Sequence, residues 1–343
     1  MTIDAPGTVL AGVLTVLALT TVLALRWDRA RLTGRIALVT AVALSVAGTT
    51  ALELNRLTET YPSWRELAGA APPPVTHRRG PGAGQLVTYR VDGPASGISM
   101  PMSVYLPAAY LRPDARRLRF PVIEALHGYP GTPESWIRRL DIAGHLDREI
   151  AAGRMAPTVV LLPYQSPQRL LDTECTNLAG GPRTETYLTR DVPEWAGTHL
   201  RVRTDRAAWG LIGYSAGGFC AMNLALKHPG RYAAAASLSG YADPGIRVGD
   251  GSERTTNNIA WRLAHLPQPA TALWIGWADD DRAARAGSRR IARLARAPLT
   301  VVTAVVPHGG HSHAVWRQME GPALDWLSAH LARPAAPAAA QDR

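Results

Sequence analysis

The chain has 343 residues, more than a minimal single domain needs, so it holds one large domain with extras or two domains. Hydrophobic residues make up 46% and charged residues 19%, too apolar a balance for a disordered chain. The formal charge is +10, yet the basic residues are scattered, Lys227 is the single lysine and no long Lys/Arg run occurs, which argues against a nucleic-acid binder; two cysteines exclude a disulfide-rich scaffold and a four-cysteine zinc site.

Thr8–Leu25 runs 18 residues without a charge, ~27 Å of helix, which matches the hydrocarbon thickness of a bilayer. Ile36–Leu52 adds 17 uncharged residues. The connector carries Arg26, Arg29, Arg31 and Arg35 against Asp28, whereas the residues before the first run hold Asp4 and no basic side chain. A cleaved signal peptide has the opposite charge order, so residues 1–56 are expected to form a membrane hairpin with helices over 8–25 and 36–52. Positive-inside asymmetry puts the connector in the cytoplasm. Everything that follows is then extracytoplasmic on a two-helix, multi-pass anchor in the cell membrane, with membrane lipid as a partner. Residues 57–85, rich in Pro and Gly, are expected to be a flexible tether, and 333–343 a disordered tail.

Between them, 86–332 alternates strand and helix. Leu86–Val91 and Met102–Leu106 predict an antiparallel entry. Phe120–Leu126, Thr158–Pro163, Ala207–Ile212, Ala233–Ser239, Thr271–Ile275 and Leu299–Val306 predict the remaining strands. Helices are predicted over Asp141–Ala152 and Ala216–Lys227, with a closing helix over Ala323–Leu331. This alternation predicts an α/β fold: a mostly parallel sheet covered by helices on both faces, with function in the loops at the C-terminal strand ends.

Gly213-Tyr214-Ser215-Ala216-Gly217 fits G-x-S-x-G, between an apolar strand and a helix. A serine nucleophile needs such a tight turn, where small residues two before and two after let strand and helix approach and the helix N-terminus offers a free N–H. A base is expected after the last strand, where Pro307-His308-Gly309-Gly310-His311-Ser312-His313 stands. His311, behind the two glycines, is the candidate base; His308 and His313 read as loop residues that line the cleft. A metal reading of the three histidines lacks a helical i,i+4 pair and a nearby acid, so no metal is expected, and the chemistry requires no cofactor. The acid should follow the preceding strand, where Asp279, Asp280 and Asp281 compete: Asp279 by its spacing from Gly276, Asp281 by the helix pattern that leads into Ile291 and Leu294. The Ala216 and Tyr129 backbone N–H groups are the candidate oxyanion donors. His127 reads as support for the loop that carries Tyr129.

His127–Trp136 (HGYPGTPESW), Gly213–Tyr232, Ser237–Tyr241 (SLSGY) and Gly309–Trp316 (GGHSHAVW) together resemble the esterase family of the α/β-hydrolase fold that includes esterase D, feruloyl esterases and the antigen 85 mycolyltransferases. The resemblance covers Leu86–Leu331 and implies Ser215 as nucleophile, His311 as base and the acid within Asp279–Asp281. In mycolyltransferases a Trp stands two residues after the histidine, where this chain has His313, and the acid is a glutamate; both departures lead away from mycolyl specificity. Three functions are therefore in play. The first is a serine carboxylesterase acting on a small-molecule, lipid or sugar ester. The second is an acyltransferase with the same triad, and the third a non-enzymatic surface module. In an oxidising compartment Cys175 and Cys220, both at the same end of the sheet, are expected to form a disulfide that pins a loop over the cleft, against the alternative of two unrelated thiols.

Overall fold

The computed structural model describes residues 3, 6–58, 61, 63–68, 76–78, 80 and 82–336. The chain divides into two compact units, Met1–Pro72 and Pro73–Arg343. In the first unit, α1 (Pro6–Arg26) and α2 (Leu32–Thr58) form a helical pair. A Cβ on Gly12 would stand 2.7 Å from the Thr49 hydroxyl, so the glycine is what lets the two helices touch. The Arg35 guanidinium lies 5.0 Å from the Trp27 ring and donates to the Trp27 carbonyl at 2.9 Å, which fastens the connector. Both helices are long and apolar enough to cross a membrane, with mean hydropathies of 2.3 and 1.7, and their apolar side chains are not buried in protein.

Among the described residues, the second unit is built on nine strands: β1 (Thr76–Arg78), β2 (Gln85–Gly93), β3 (Ile98–Leu106), β4 (Val122–Leu126), β5 (Val159–Pro163), β6 (Trp209–Tyr214), β7 (Ala234–Leu238), β8 (Ala272–Ala278) and β9 (Thr300–Val306). Their order is β1-β2-β3-β5-β4-β6-β7-β8-β9. β1, β2 and β3 join antiparallel, and β3 meets β5 antiparallel; from β5 to β9 every pairing is parallel.

Alternate residues of one strand feed two cores, because successive side chains point to opposite faces. Leu211 packs with α4 (Val192–His199), α5 (Ala216–Lys227), α6 (Ile259–His265) and α7 (Arg282–Leu294). Ile212 packs with α3 (Ile142–Ala151) and α8 (His313–His330). β4, β5, β6, β7 and β8 are buried along their whole length, which is why they read as continuous apolar runs.

Three boundaries differ from the sequence expectation. The 57–85 tether contains β1, whose Thr76–Arg78 pair with Val87–Gln85 as an edge strand; residues 59–60, 62, 69–75, 79 and 81 lie outside the described residues. The first residues of the expected tail are bound to the domain: the Arg119 amide donates to the Ala335 carbonyl at 2.9 Å, and Arg203 donates to the Arg333 carbonyl at 2.9 Å. Residues 337–343 lie outside the described residues. The closing helix starts at His313, ten residues before Ala323, because Ser312 caps it by accepting from the Val315 amide; Pro322, which resembles a helix start, sits inside.

Candidate active site

The segments that follow β4, β5, β6, β7, β8 and β9 converge at the C-terminal ends of the parallel strands. The turn from β6 into α5 carries Ser215 at φ 56° and ψ −123°, a strained backbone for a non-glycine residue. The surrounding glycines explain how that strain is held. A Cβ on Gly213 would fall 1.9 Å from the Gly217 carbonyl oxygen, and one on Gly217 would fall 2.1 Å from the Leu126 oxygen. Only glycine fits either position, and the contact locks strand and helix around the serine. The Ser215 amide donates to the Leu238 carbonyl at 2.9 Å, which ties the turn to β7.

His311 comes from the loop between β9 and α8, where Gly309 and Gly310 adopt φ of 126° and 60°. Its Nε2 lies 2.8 Å from Ser215 Oγ and its Nδ1 2.6 Å from Asp281 Oδ2. The carboxylate beside Nδ1 fixes the proton on that nitrogen and leaves Nε2 as an acceptor for the serine proton. The Trp316 ring stands edge-on to the imidazole at 5.0 Å and limits its rotation.

The three adjacent aspartates have three different surroundings. Asp281 is buried; besides facing His311 it caps α7 by accepting from the Ala284 amide at 3.2 Å. Asp280 accepts from the Gly309 and Gly310 amides at 3.1 and 2.9 Å and so holds the histidine loop from below; these two hydrogen bonds keep its carboxyl below the ordinary aspartate range. Asp279 points away and pairs with Arg285 and Arg289 at 3.5 and 3.3 Å. The structure therefore brings Ser215, His311 and Asp281 together and leaves Asp279 and Asp280 outside the relay.

The loop after β4 passes directly over the serine: a Cβ on Gly128 would come within 3.2 Å of Ser215 Cβ. The Tyr129 and Ala216 amides line the cleft there, and among the described residues neither donates to a protein acceptor. His127 is buried, with Nδ1 2.8 Å from the Gly128 carbonyl; burial lowers its pKa to about 4, so it is neutral and shapes the loop. His313 opens α8 and packs 4.9 Å from Trp316, and His308 is exposed on the loop. Among the described residues no group of three His, Cys, Asp or Glu side chains is arranged to hold a metal ion.

Cys175 and Cys220 are joined, with S–S 2.07 Å and Cα–Cα 5.6 Å. The bond fastens the loop after β5 to the buried face of α5. Glu174 and Cys175 both adopt positive φ, 42° and 52°. The turn places Glu174 in the cleft beside Tyr129 and Ala216. Burial, and then Asp172 and Asp243, push the Glu174 carboxyl well above its usual range.

Sequence reasoning missed Tyr241. Its hydroxyl lies 3.2 Å from Ser215 Oγ, and because Nε2 takes the serine proton, the phenol is the donor of this pair. Burial first, and then the Glu174 carboxyl, hold the phenol above its ordinary range, so it keeps its proton. The available signal was its place three residues beyond the end of β7, the strand next to β6, which leads into Ser215.

A strained serine elbow at the end of a central parallel strand, with histidine and acid delivered by the last two strands, is the architecture of the α/β-hydrolases. Solved structures of this fold overlay on most of the chain. A ferulic acid esterase covers 73% of it, and 99% of itself, at TM-score 0.63 and 18% identity. The S-formylglutathione hydrolase of Agrobacterium tumefaciens covers 75%, and 99% of itself, at TM-score 0.61 and 17% identity. Within the fold, the Putative esterase family matches residues 94–336, and the chain belongs to that family. Among curated relatives, an uncharacterised protein of Corynebacterium glutamicum is 25% identical over 250 residues, 65% of this chain and 56% of that protein. The S-formylglutathione hydrolase of Paracoccus denitrificans is 28% identical over 173 residues, 46% of this chain and 57% of that protein. An esterase of Mycobacterium tuberculosis is 28% identical over 154 residues, 45% of this chain and 32% of that protein. The chain thus spans about half or less of the length of these relatives.

Proposed function

We propose that the protein is a serine carboxylesterase that works through an acyl-enzyme on Ser215, His311 and Asp281. The observation that carries this reading is the unbroken hydrogen-bonded relay from Asp281 through His311 to Ser215 Oγ, at 2.6 and 2.8 Å. His311 Nε2 takes the hydroxyl proton as Oγ attacks the ester carbonyl, and Asp281 stabilises the imidazolium that results. The carbonyl oxygen, now an oxyanion, receives the Tyr129 and Ala216 amides, each typically worth about 2.7–4 kcal/mol in the transition state. The imidazolium returns its proton to the departing alcohol oxygen, the C–O bond breaks, and an acyl-serine remains. Water, deprotonated by the same imidazole, then releases the acid and regenerates the serine.

Turnover of p-nitrophenyl acetate tests the assignment. Ser215→Ala is expected to lower kcat by roughly 10⁴–10⁶ and to abolish labelling by a fluorophosphonate probe, with the fold intact. Near-wild-type turnover in that variant would reject the nucleophile. Product analysis with and without an added sugar alcohol separates hydrolysis from acyl transfer.

The two apolar helices and the arginine-rich connector between them support a membrane hairpin with the enzyme domain on the outer side, and the disulfide is in keeping with an oxidising compartment. A reporter active only outside the cytoplasm, fused after Arg343, is expected to work, and one inserted between Arg26 and Arg35 is expected to be silent. The reverse pattern would overturn this topology.

A further inference from the structure

A groove of about 450 Å³ begins at Tyr241, the hydrogen-bond partner of Ser215, and lies between the Tyr241–Gly245 loop and the first half of α7. Its walls are made of small residues, Ala242, Gly245, Ala283, Ala286 and Gly287. Helix and loop are in direct backbone contact there, since a Cβ on Gly287 would stand 2.9 Å from the Ala242 nitrogen. Arg290 lines this groove and also a second one of about 460 Å³, between α6 and the second half of α7. That second groove holds Arg254, Arg293, His265 and Trp261 as well. Ala283, Ala286, Arg290 and Arg293 recur at three- or four-residue spacing and so share one face of α7, over ~15 Å at 1.5 Å per residue. The shared arginine makes the two grooves one track, with Tyr241, the hydrogen-bond partner of Ser215, at one end, small residues in the middle and a cationic cluster at the other end.

Charge along the track is graded. Asp243 lies at the Tyr241 end. On the other flank of α7, Asp279 takes Arg285 and Arg289, while Arg254, Arg290 and Arg293 have no carboxylate in pairing range among the described residues. The His265 Nδ1 donates to the Trp261 carbonyl at 2.8 Å and its ring stacks on the indole at 4.6 Å, which gives the cationic end a flat aromatic wall. The cleft beside Ala216 carries the Asp172 and Glu174 carboxyl groups and so suits the uncharged alcohol portion of an ester, which leaves the small-residue track for the acyl chain.

We propose that this track selects esters whose acyl chain lies along α7 and ends in an anionic group, a carboxylate or phosphate, held by Arg290, Arg293 and Arg254 toward the C-terminal end of that helix. The proposal rests on the esterase reading of Ser215 and names the substrate class for that site. An anion near the scissile bond would meet Asp243, whereas one at the far end meets arginines, so the gradient sets direction as well as affinity.

Two measurements test it. In the first, the p-nitrophenyl monoester of dodecanedioic acid is compared with its ω-methyl ester, which has nearly the same length without the charge. The anionic ester is expected to have the higher kcat/KM by about tenfold, equivalent to 1.4 kcal/mol, at low ionic strength, and to lose the advantage as salt is raised. Arg290→Gln combined with Arg293→Gln should erase the ratio and Arg290→Lys should largely keep it, while Ala286→Trp should shift the chain-length preference toward acetate. In the second, binding of dodecyl phosphate below its micellar range is measured on the Ser215→Ala protein, where no chemistry is needed, and it should weaken about tenfold in the double arginine variant. Equal kcat/KM for the two long esters, or a ratio untouched by the double variant, overturns the proposal. Failure to hydrolyse p-nitrophenyl acetate overturns the esterase reading instead, and arginine-dependent binding of dodecyl phosphate would then still support the anionic track.

Discussion

The turn that presents Ser215 and the loop that presents His311 deliver their side chains to one point by opposite means. The turn is buried, and backbone packing dictates its geometry: Gly213, Gly217 and Leu126 are in contact so close that no side chain fits between them. The loop is open to solvent. The His311 side chain is 38% exposed, and the loop is held by hydrogen bonds to Asp280 and Asp281 and by the Ser312 hydroxyl, which donates to the Gly309 carbonyl at 2.8 Å. Steric locks fail all at once, whereas hydrogen-bonded struts fail one at a time. Substitutions in the turn are therefore expected to be all or nothing, and those around the loop graded.

The largest effect should come from Gly217→Ala. Its new methyl would sit 2.1 Å from the Leu126 oxygen and 2.5 Å from the His127 oxygen, both backbone atoms that cannot swing aside. Loss of about 3 kcal/mol of stability is expected, at the upper end for overpacking, because the start of α5 and the end of β4 must part. A melting temperature within a degree or two of wild type would show that the turn is softer than its contacts imply.

Asp281→Asn comes next. The amide keeps the size of the side chain but can no longer stabilise the imidazolium or enforce the tautomer, so kcat should fall by about 10³–10⁴. Some loss of stability should accompany it, since Asp281 also caps α7. Steady-state kinetics beside a thermal melt separates the two roles. A mild kinetic phenotype would assign the acid to another residue.

Tyr241→Phe probes the contact that Ser215 Oγ makes with a distant side chain besides His311. Without the phenol hydroxyl, Ser215 Oγ loses its second hydrogen bond, and kcat should drop by roughly tenfold with little change in melting temperature. A fall in KM alone would make Tyr241 a wall of the substrate site and not a partner of the nucleophile.

The contrast between the two regions also explains what the sequence could reveal. The serine turn is local, so Gly213, Ser215 and Gly217 announce it within five residues, and the buried parallel strands announce themselves as apolar runs. The relay is not local. Asp279, Asp280 and Asp281 look alike in sequence, and what separates them is where successive backbone positions at the mouth of α7 aim each carboxylate. Tyr241 lies 26 residues from Ser215, and only the pairing of β6 with β7 makes them neighbours. β1 is three residues within a Pro- and Gly-rich stretch, too short for any periodicity to be seen. The true start of α8 was hidden because Pro322 mimics the first residue of a helix, while the real cap, Ser312, stands inside the histidine motif.

The smallest effect should be that of Asp280→Asn, which weakens one strut of the histidine loop and leaves His311, Asp281 and Ser215 in place. An asparagine can still accept one amide through its carbonyl oxygen, but its NH₂ now faces the other amide donor. The loop should loosen, and kcat should fall by about two- to fivefold, a fraction of what a single hydrogen bond to a charged group can be worth. The pH dependence of stability identifies the cause. The folded-state pKa of Asp280 lies below its unfolded value because the Gly309 and Gly310 amides favour the carboxylate. Its contribution is therefore present above the ordinary aspartate pKa of about 3.9 and is lost as pH falls through the folded value. Wild type should melt above Asp280→Asn at neutral pH, and the two curves should converge in acid, below about pH 4. A gap that stayed constant down to that pH would mean that the side chain acts through shape and not through its charge.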